Sequence, residues 1–353
     1  MAALSVRLAH GPDLKMERPV ADIRHHGAWR GARAVLGRKL RQWWWFPHVR
    51  RVQHEGLVRA WRRRRSWNQV LRSPAVRTGH PDGTSPFELH LLCCLADYVA
   101  AIWALKSLLK RSAPGCPVYL HLQGHSTARM RSTLGRHFPD AVVITQSEAD
   151  AVVIPALRAR NLQRVLALRA ALPVALKLVD VPFFGGAPRL LVMDSDVLFF
   201  RRPDELLEAA LTEGPAVFQR DVESCYVMSP DAARELGVEL QPRLNSGLMA
   251  IDRASIDLDR CERYLGHEAF RTPSGWAEQT LFALLASAAA PVSLLPPTYA
   301  ISMTAEPEPD GLAARHYSGT SRSYLTTQGI PWLAREGCVL NGARMTALEH
   351  AAG

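Results

Sequence analysis

Arg189-Leu190-Leu191-Val192-Met193-Asp194-Ser195-Asp196-Val197-Leu198-Phe199-Phe200 places two carboxylates, one residue apart, inside an apolar run. A strand buried on both faces has no means of solvating such groups, so the pair must surface at the strand's end. Two acids that close want a cation, and oxygen ligands of this kind suit Mg²⁺ or Mn²⁺. A hard ion held by few protein ligands keeps positions free for substrate phosphates. That points to chemistry on a nucleotide diphosphate. A second copy, Asp257-Leu258-Asp259, lacks the apolar flanks and follows Asp252-Arg253. It reads as a solvated helix or loop face.

Around the run, strand and helix patterns alternate. Leu89–Ala96 is apolar enough for a buried strand, and residues 97–110 follow with Val99, Ile102, Trp103 and Leu109 at helical spacing. Strands are expected at 118–122, 141–144, 189–193, 216–219 and 247–251. Helices are expected at 127–137 and 161–172, and another opens at Pro203-Asp204-Glu205, with Pro and acids in the first turn. Such alternation implies an α/β layered domain with a largely parallel sheet. Ligands of such sheets bind beyond the carboxyl ends of the strands, where Asp194 and Asp196 fall.

The chain of 353 residues is 48% hydrophobic and 22% charged, which excludes a wholly disordered protein. No apolar stretch approaches the ~20 residues of a membrane span, and the first twenty residues lack a signal-type apolar core. Six cysteines show neither Cys-x-x-Cys nor zinc spacing. The expected location is cytoplasmic. The net charge of +10 is uneven: residues 1–85 hold 18 Lys and Arg against 5 acids, and the remainder is slightly acidic. The expected organisation is therefore a basic extension over 1–85 and a catalytic domain over 86–353. Trp29, Trp43, Trp44, Trp45, Trp61 and Trp67 lie among the arginines of the extension, with Arg62-Arg63-Arg64-Arg65 between the last two. Tryptophan and arginine together favour an anionic membrane surface, which would place the protein at the inner face of a membrane. The alternatives are a basic, partly helical extension whose tryptophans pack on the catalytic domain and, as the lesser one, contact with nucleic acid.

Four further segments could complete a site. His316-Tyr317-Ser318-Gly319-Thr320-Ser321-Arg322 offers an imidazole that would favour Mn²⁺, a glycine that admits close backbone approach, and a guanidinium for a diphosphate. Asn245-Ser246-Gly247 enters an apolar strand with an amide and a hydroxyl suited to sugar hydroxyls. Trp276-Ala277-Glu278-Gln279 opens a helical stretch in which Glu278 could orient a sugar or act as a base, and Trp276 could stack on a sugar ring. Lys177 lies in an apolar segment, where it needs an anionic partner such as a diphosphate oxygen or an aspartate, or else a route for its amine to solvent.

In this order the segments resemble the GT-A fold of nucleotide-sugar glycosyltransferases, most closely glycosyltransferase family 8, over roughly residues 90–325. The resemblance implies a metal-dependent hexosyltransferase with Mn²⁺ (or Mg²⁺) and a UDP-sugar donor. The acceptor would be a glycan, lipopolysaccharide or lipid-linked hydroxyl. Asp194, Asp196 and His316 resemble the metal ligands. Tyr98, Lys177, Asp194, Ser195, Ser246, Gly319 and Arg322 fall at donor-binding positions. Asn245, Glu278 and Gln279 fall at the sugar and catalytic positions, where Asp-Gln is usual for the last two. Arg322-Ser323-Tyr324 departs from the usual Lys-Pro-Trp. The family implies retention of anomeric configuration, whereas Glu278 as a base would imply inversion. Two other readings are a non-catalytic scaffold on a membrane and a sugar nucleotidyltransferase. The three potential metal ligands argue against the first, and the lack of a Gly-rich basic loop after the first strand argues against the second.

Overall fold

The computed structural model describes residues 57–81, 85–112, 115–272, 274–289 and 291–337. Trp29 and Trp43–Trp45 lie outside them. Among the described residues, ten strands form two sheets. The larger has the order β3-β2-β1-β4-β7-β6-β8, and the smaller has the order β5-β10-β9. The strands are β1 (Phe87–Cys94), β2 (Val118–Gln123), β3 (Val142–Ile144), β4 (Arg189–Asp194), β5 (Val197–Phe199), β6 (Val217–Arg220), β7 (Leu244–Asp252), β8 (Ser293–Leu294), β9 (Tyr299–Ile301) and β10 (Ala314–His316). Four of the six pairings in the large sheet are parallel, and only β7 runs against its neighbours. The expected α/β domain with a mostly parallel sheet is thus present.

The continuous apolar runs exist because both faces of the sheet are covered. On β4, Leu191 and Met193 join a core with helix Tyr98–Ser112, while Leu190 and Val192 join a second core with helix Ala277–Ala289. Every residue of β4 before Asp194 is buried. Helix Ala128–His137 starts on Thr127, whose side chain accepts the Met130 amide. The helix Gln146–Ala159 is not anticipated from apolar spacing. It opens on a capping box, Thr145 with Glu148, and carries Pro155 inside. The second Asp-x-Asp has an ordinary role: Asp257 caps helix Leu258–Tyr264 by accepting the amides of Asp259 and Arg260. Lys177, expected within an apolar segment, sits on a one-turn helix, Leu176–Val179.

A helix spans Leu57–Leu71 within the basic region. Val70 is fully buried, with Trp67, Leu71 and Val76 packed on the same core. Lys106 donates to the Ser73 hydroxyl and the Pro74 carbonyl, and Val76 N donates to His137 O at 2.9 Å. Residues 66–79 are therefore packed against the α/β domain. Among the described residues, no helix is long and apolar enough to cross a membrane.

Candidate metal centre

Strand directions assemble the site. Asp194 ends β4 and pairs in register with Leu92 near the end of β1. Because β7 runs antiparallel to β4, its first residues lie beside the last residues of β4, with Leu248 opposite Met193. Asn245, Ser246 and Gly247 are thereby delivered to the Asp pair. The chain then leaves the large sheet after Asp194, turns through Ser195 and Asp196 and enters β5, which pairs antiparallel with β10, placing His316 opposite Val197. Tyr317 N donates to Asp196 O at 3.0 Å, which extends that ladder to the acid itself. A histidine far along the chain thus becomes a backbone neighbour of Asp196.

Asp194, Asp196 and His316 each present a ligand atom, all within 4.8 Å of one another. His316 Nε2 is 3.2 Å from Asp196 Oδ1 and 3.8 Å from Asp194 Oδ2. Asp196 Oδ1 is buried, and despite the short contact its geometry to the imidazole is not that of a hydrogen bond. An acceptor left without a hydrogen bond beside an imidazole nitrogen fits a shared cation, and two carboxylates with one imidazole suit Mn²⁺. Gly247 makes room for the ring: a Cβ there would lie 2.2 Å from His316 Cε1.

The protein's own cations flank the acids. Lys177 Nζ is 2.8 Å from Asp194 Oδ1 and 3.4 Å from Glu278 Oε1, and donates to Ser246 O at 3.1 Å. Burial opposes its charge, but the two carboxylates outweigh that and raise its pKa. Asp194 is the nearer partner. Burial pushes Glu278 up to about 7 against the pull of Lys177, so this carboxyl gains a proton near neutrality. Ser246 Oγ donates to Glu278 Oε2 at 2.8 Å, and Ser246 N donates to Gln279 Oε1 at 3.2 Å. Arg322 donates twice to Asp196 Oδ2, at 2.7 and 3.0 Å. Burial works against the Asp196 charge, yet His316 and Arg322 hold its carboxyl below the usual range. In return, Asp196 and Asp194 raise the buried His316 imidazole.

The other anticipated residues are placed as follows. Ser195 is buried and donates to Asp97 Oδ2 at 3.0 Å, and that carboxylate lies 3.8 Å from Arg322. Tyr98 opens its helix next to Asp97 and is half-buried against the core. Gly319 has φ +54°, a conformation that favours glycine, and begins the short turn leading to Arg322. Trp276 is exposed immediately before the helix that carries Glu278 and Gln279. Asn245 has a role not anticipated for it. Its Nδ2 donates to Asp221 Oδ2 at 2.8 Å, while its Oδ1 takes Gly247 N at 2.9 Å and lies 3.2 Å from His316 Nδ1. Asp221 escaped the sequence reading. The available signal was an acid directly after the strand Val217–Arg220, which runs in the same direction as β4.

No family model and no curated protein matches the sequence. Solved structures that match include a galactosyltransferase, LgtC, in complex with donor and acceptor sugar analogues (13% identity, 73% of this chain, 98% of that one, TM-score 0.44). Mouse xyloside xylosyltransferase 1 matches with 14% identity over 60% of this chain and 86% of that one, TM-score 0.40. The glycosyltransferase GlyE of Streptococcus pneumoniae TIGR4 matches with 14% identity over 66% of this chain and 55% of that one, TM-score 0.39. All three are glycosyltransferases.

Proposed function

We propose that this protein is a metal-dependent glycosyltransferase that moves a hexose from a nucleoside diphosphate sugar, UDP-linked first, to an acceptor hydroxyl. The observation that carries the reading is the convergence of Asp194, Asp196 and His316 within 4.8 Å at the carboxyl edge of the sheet. A bound Mn²⁺ would offset charge growing on a departing diphosphate. Arg322, its side chain 55% exposed, can turn from Asp196 to a phosphate, while His316 and the bound cation would keep that buried carboxylate paired. Lys177 stays behind the acids and fixes Asp194. Asn245, Glu278 and Gln279 border the sugar, and Tyr98, Ser195, Ser246 and Gly319 border the nucleotide. Glu278 is 1% exposed and bound by Ser246 and Lys177, which removes it from the path of an acceptor hydroxyl and supports retention over inversion.

The test is a thermal melt of the full chain with a panel of UDP-, GDP- and dTDP-sugars, each with Mn²⁺ and with EDTA. A true donor at a hundredfold excess over Kd should stabilise by ~2.7 kcal/mol, and only with the metal. Stabilisation that ignores EDTA, or none across the panel, would defeat the proposal.

The acceptor class follows from the basic helix, on which we place contact with an anionic membrane surface bearing a lipid-linked or lipopolysaccharide hydroxyl. Val58 and Trp61 are exposed, as are Arg62, Arg64 and Arg65, and the Arg65 guanidinium lies 5.5 Å from the Trp61 ring centroid. Apolar and aromatic side chains among arginines suit a headgroup layer, where each basic residue contributes about 1 kcal/mol. Full-length Arg64→Glu/Arg65→Glu protein should float with anionic vesicles at least ~10-fold less than the parent. Equal flotation, or selective loss of oligonucleotide binding, would remove the membrane assignment.

A further inference from the structure

We infer that Asp221, acting through Asn245, fixes the tautomer and orientation of His316, and so determines which ring nitrogen faces the cation. This rests on the metal-centre reading above and names a positioning residue for it. An ionised carboxylate has no proton to give, so Asp221 Oδ2 can only accept, and it takes the Asn245 Nδ2 amide at 2.8 Å. The Asn245 oxygen must then face the other way. There it accepts Gly247 N at 2.9 Å, an N–H that itself can only donate. Flipping the amide would set its NH₂ against an N–H and its oxygen against a carboxylate, so both neighbours enforce one orientation.

The oriented Asn245 Oδ1 lies 3.2 Å from His316 Nδ1. An acceptor at that position requires a proton on Nδ1. The neutral ring therefore carries its lone pair on Nε2, the atom 3.2 Å from Asp196 and 3.8 Å from Asp194. Asp221, Asn245 and His316 are 5%, 8% and 3% exposed, so water does not compete for these bonds. Asp221 also lies 3.5 Å from Gln279 Nε2, and Gln279 donates to Cys225 O while its oxygen takes Ser246 N. One carboxylate thus orients both amides that border the centre. Asn245 is left with a single amide hydrogen for any sugar, which makes its first duty the imidazole.

The experiment compares the full chain with Asp221→Leu and Asp221→Asn, measuring two quantities without any nucleotide. The first is the His316 tautomer in the metal-free protein, from long-range ¹H–¹⁵N correlation at a pH alkaline enough to neutralise the ring, with the signal assigned by His316→Gln. The second is Mn²⁺ affinity by calorimetry. The parent should show Nδ1–H. Asp221→Leu should gain the Nε2–H form and lose roughly 10- to 100-fold in Mn²⁺ affinity. Asp221→Asn, whose carbonyl can still accept from Asn245, should keep the parent tautomer and rescue most of the affinity. A folded Asp221→Leu with unchanged tautomer and Mn²⁺ affinity overturns the inference, as does Nε2–H in the parent. If Asp221→Leu does not fold, Asn245→Ala is read by the same two measurements with the same criteria. A parent that binds no Mn²⁺ but shows Nδ1–H would defeat the metal reading while leaving the tautomer control intact.

Discussion

Asp196→Ala should abolish metal-dependent turnover, lowering kcat/KM by about a thousandfold or more, or ~4 kcal/mol of transition-state stabilisation. The carboxylate has two separate duties. Oδ1 stands beside His316 Nε2 without a hydrogen bond, and Oδ2 holds Arg322. Alanine removes both, so neither a cation nor the guanidinium is kept beside Asp194. The fold should survive. Arg322 is more than half exposed and can turn to water, and His316, relieved of its nearest acid, can discharge its proton rather than remain a buried charge. The check is steady-state transfer with the donor found in the melting screen, run beside a melt of the metal-free variant. Undiminished turnover would exclude the metal assignment. A collapsed melt would show that the acid is needed for folding instead.

Gly247→Ala should cost nearly as much, through a methyl group directed at the His316 imidazole. The added Cβ would sit 2.2 Å from His316 Cε1, 2.6 Å from its Nδ1 and 2.9 Å from Asn245 Oδ1. The ring has nowhere to retreat, because it is buried and its backbone pairs with Val197. Overpacking of this kind costs about 1–3 kcal/mol in stability. The larger loss is functional: the imidazole must leave Asp196, and Mn²⁺ affinity should fall by about 100-fold, as when a ligand loses its support. Gly319→Ala is the natural contrast. There the nearest heavy atom to a Cβ is Met303 Sδ at 4.0 Å, and only φ +54° resists the change. Calorimetric titration of both variants with Mn²⁺ checks the pair. A Gly247→Ala protein that binds the ion like the parent would show that His316 is not a ligand.

Much of the frame was legible because burial on both faces writes itself as unbroken apolar runs. β1, β2 and β4 were located to within two residues at each end for that reason. The acid pair was legible because its surroundings left it only one place to be. Helix Gln146–Ala159 was not, since the β-branched run Val152-Val153-Ile154 followed by Pro155 reads against a helix; its capping box at Thr145 was the available sign. The partnership of His316 with Asp196 depends on β5 pairing with β10, and nothing local in either three-residue strand announces the other. Asp221 was hidden for a related reason. Its value comes from β7 lying reversed between β4 and β6, a tertiary choice that sets Asn245 between the acid and the imidazole. Sequence spacing suggested Asn245 as a sugar contact, and only the bonds around it reveal how little of its amide is left over.

The small sheet would give a bound ion a mechanical meaning. Because His316 ends β10 while Asp196 immediately precedes β5, a cation between them would work as a clasp across the two strands, joining the middle of the chain to its late part. Loading would then reward only molecules in which the late strand has already docked, so occupancy would double as an inspection of finished folding.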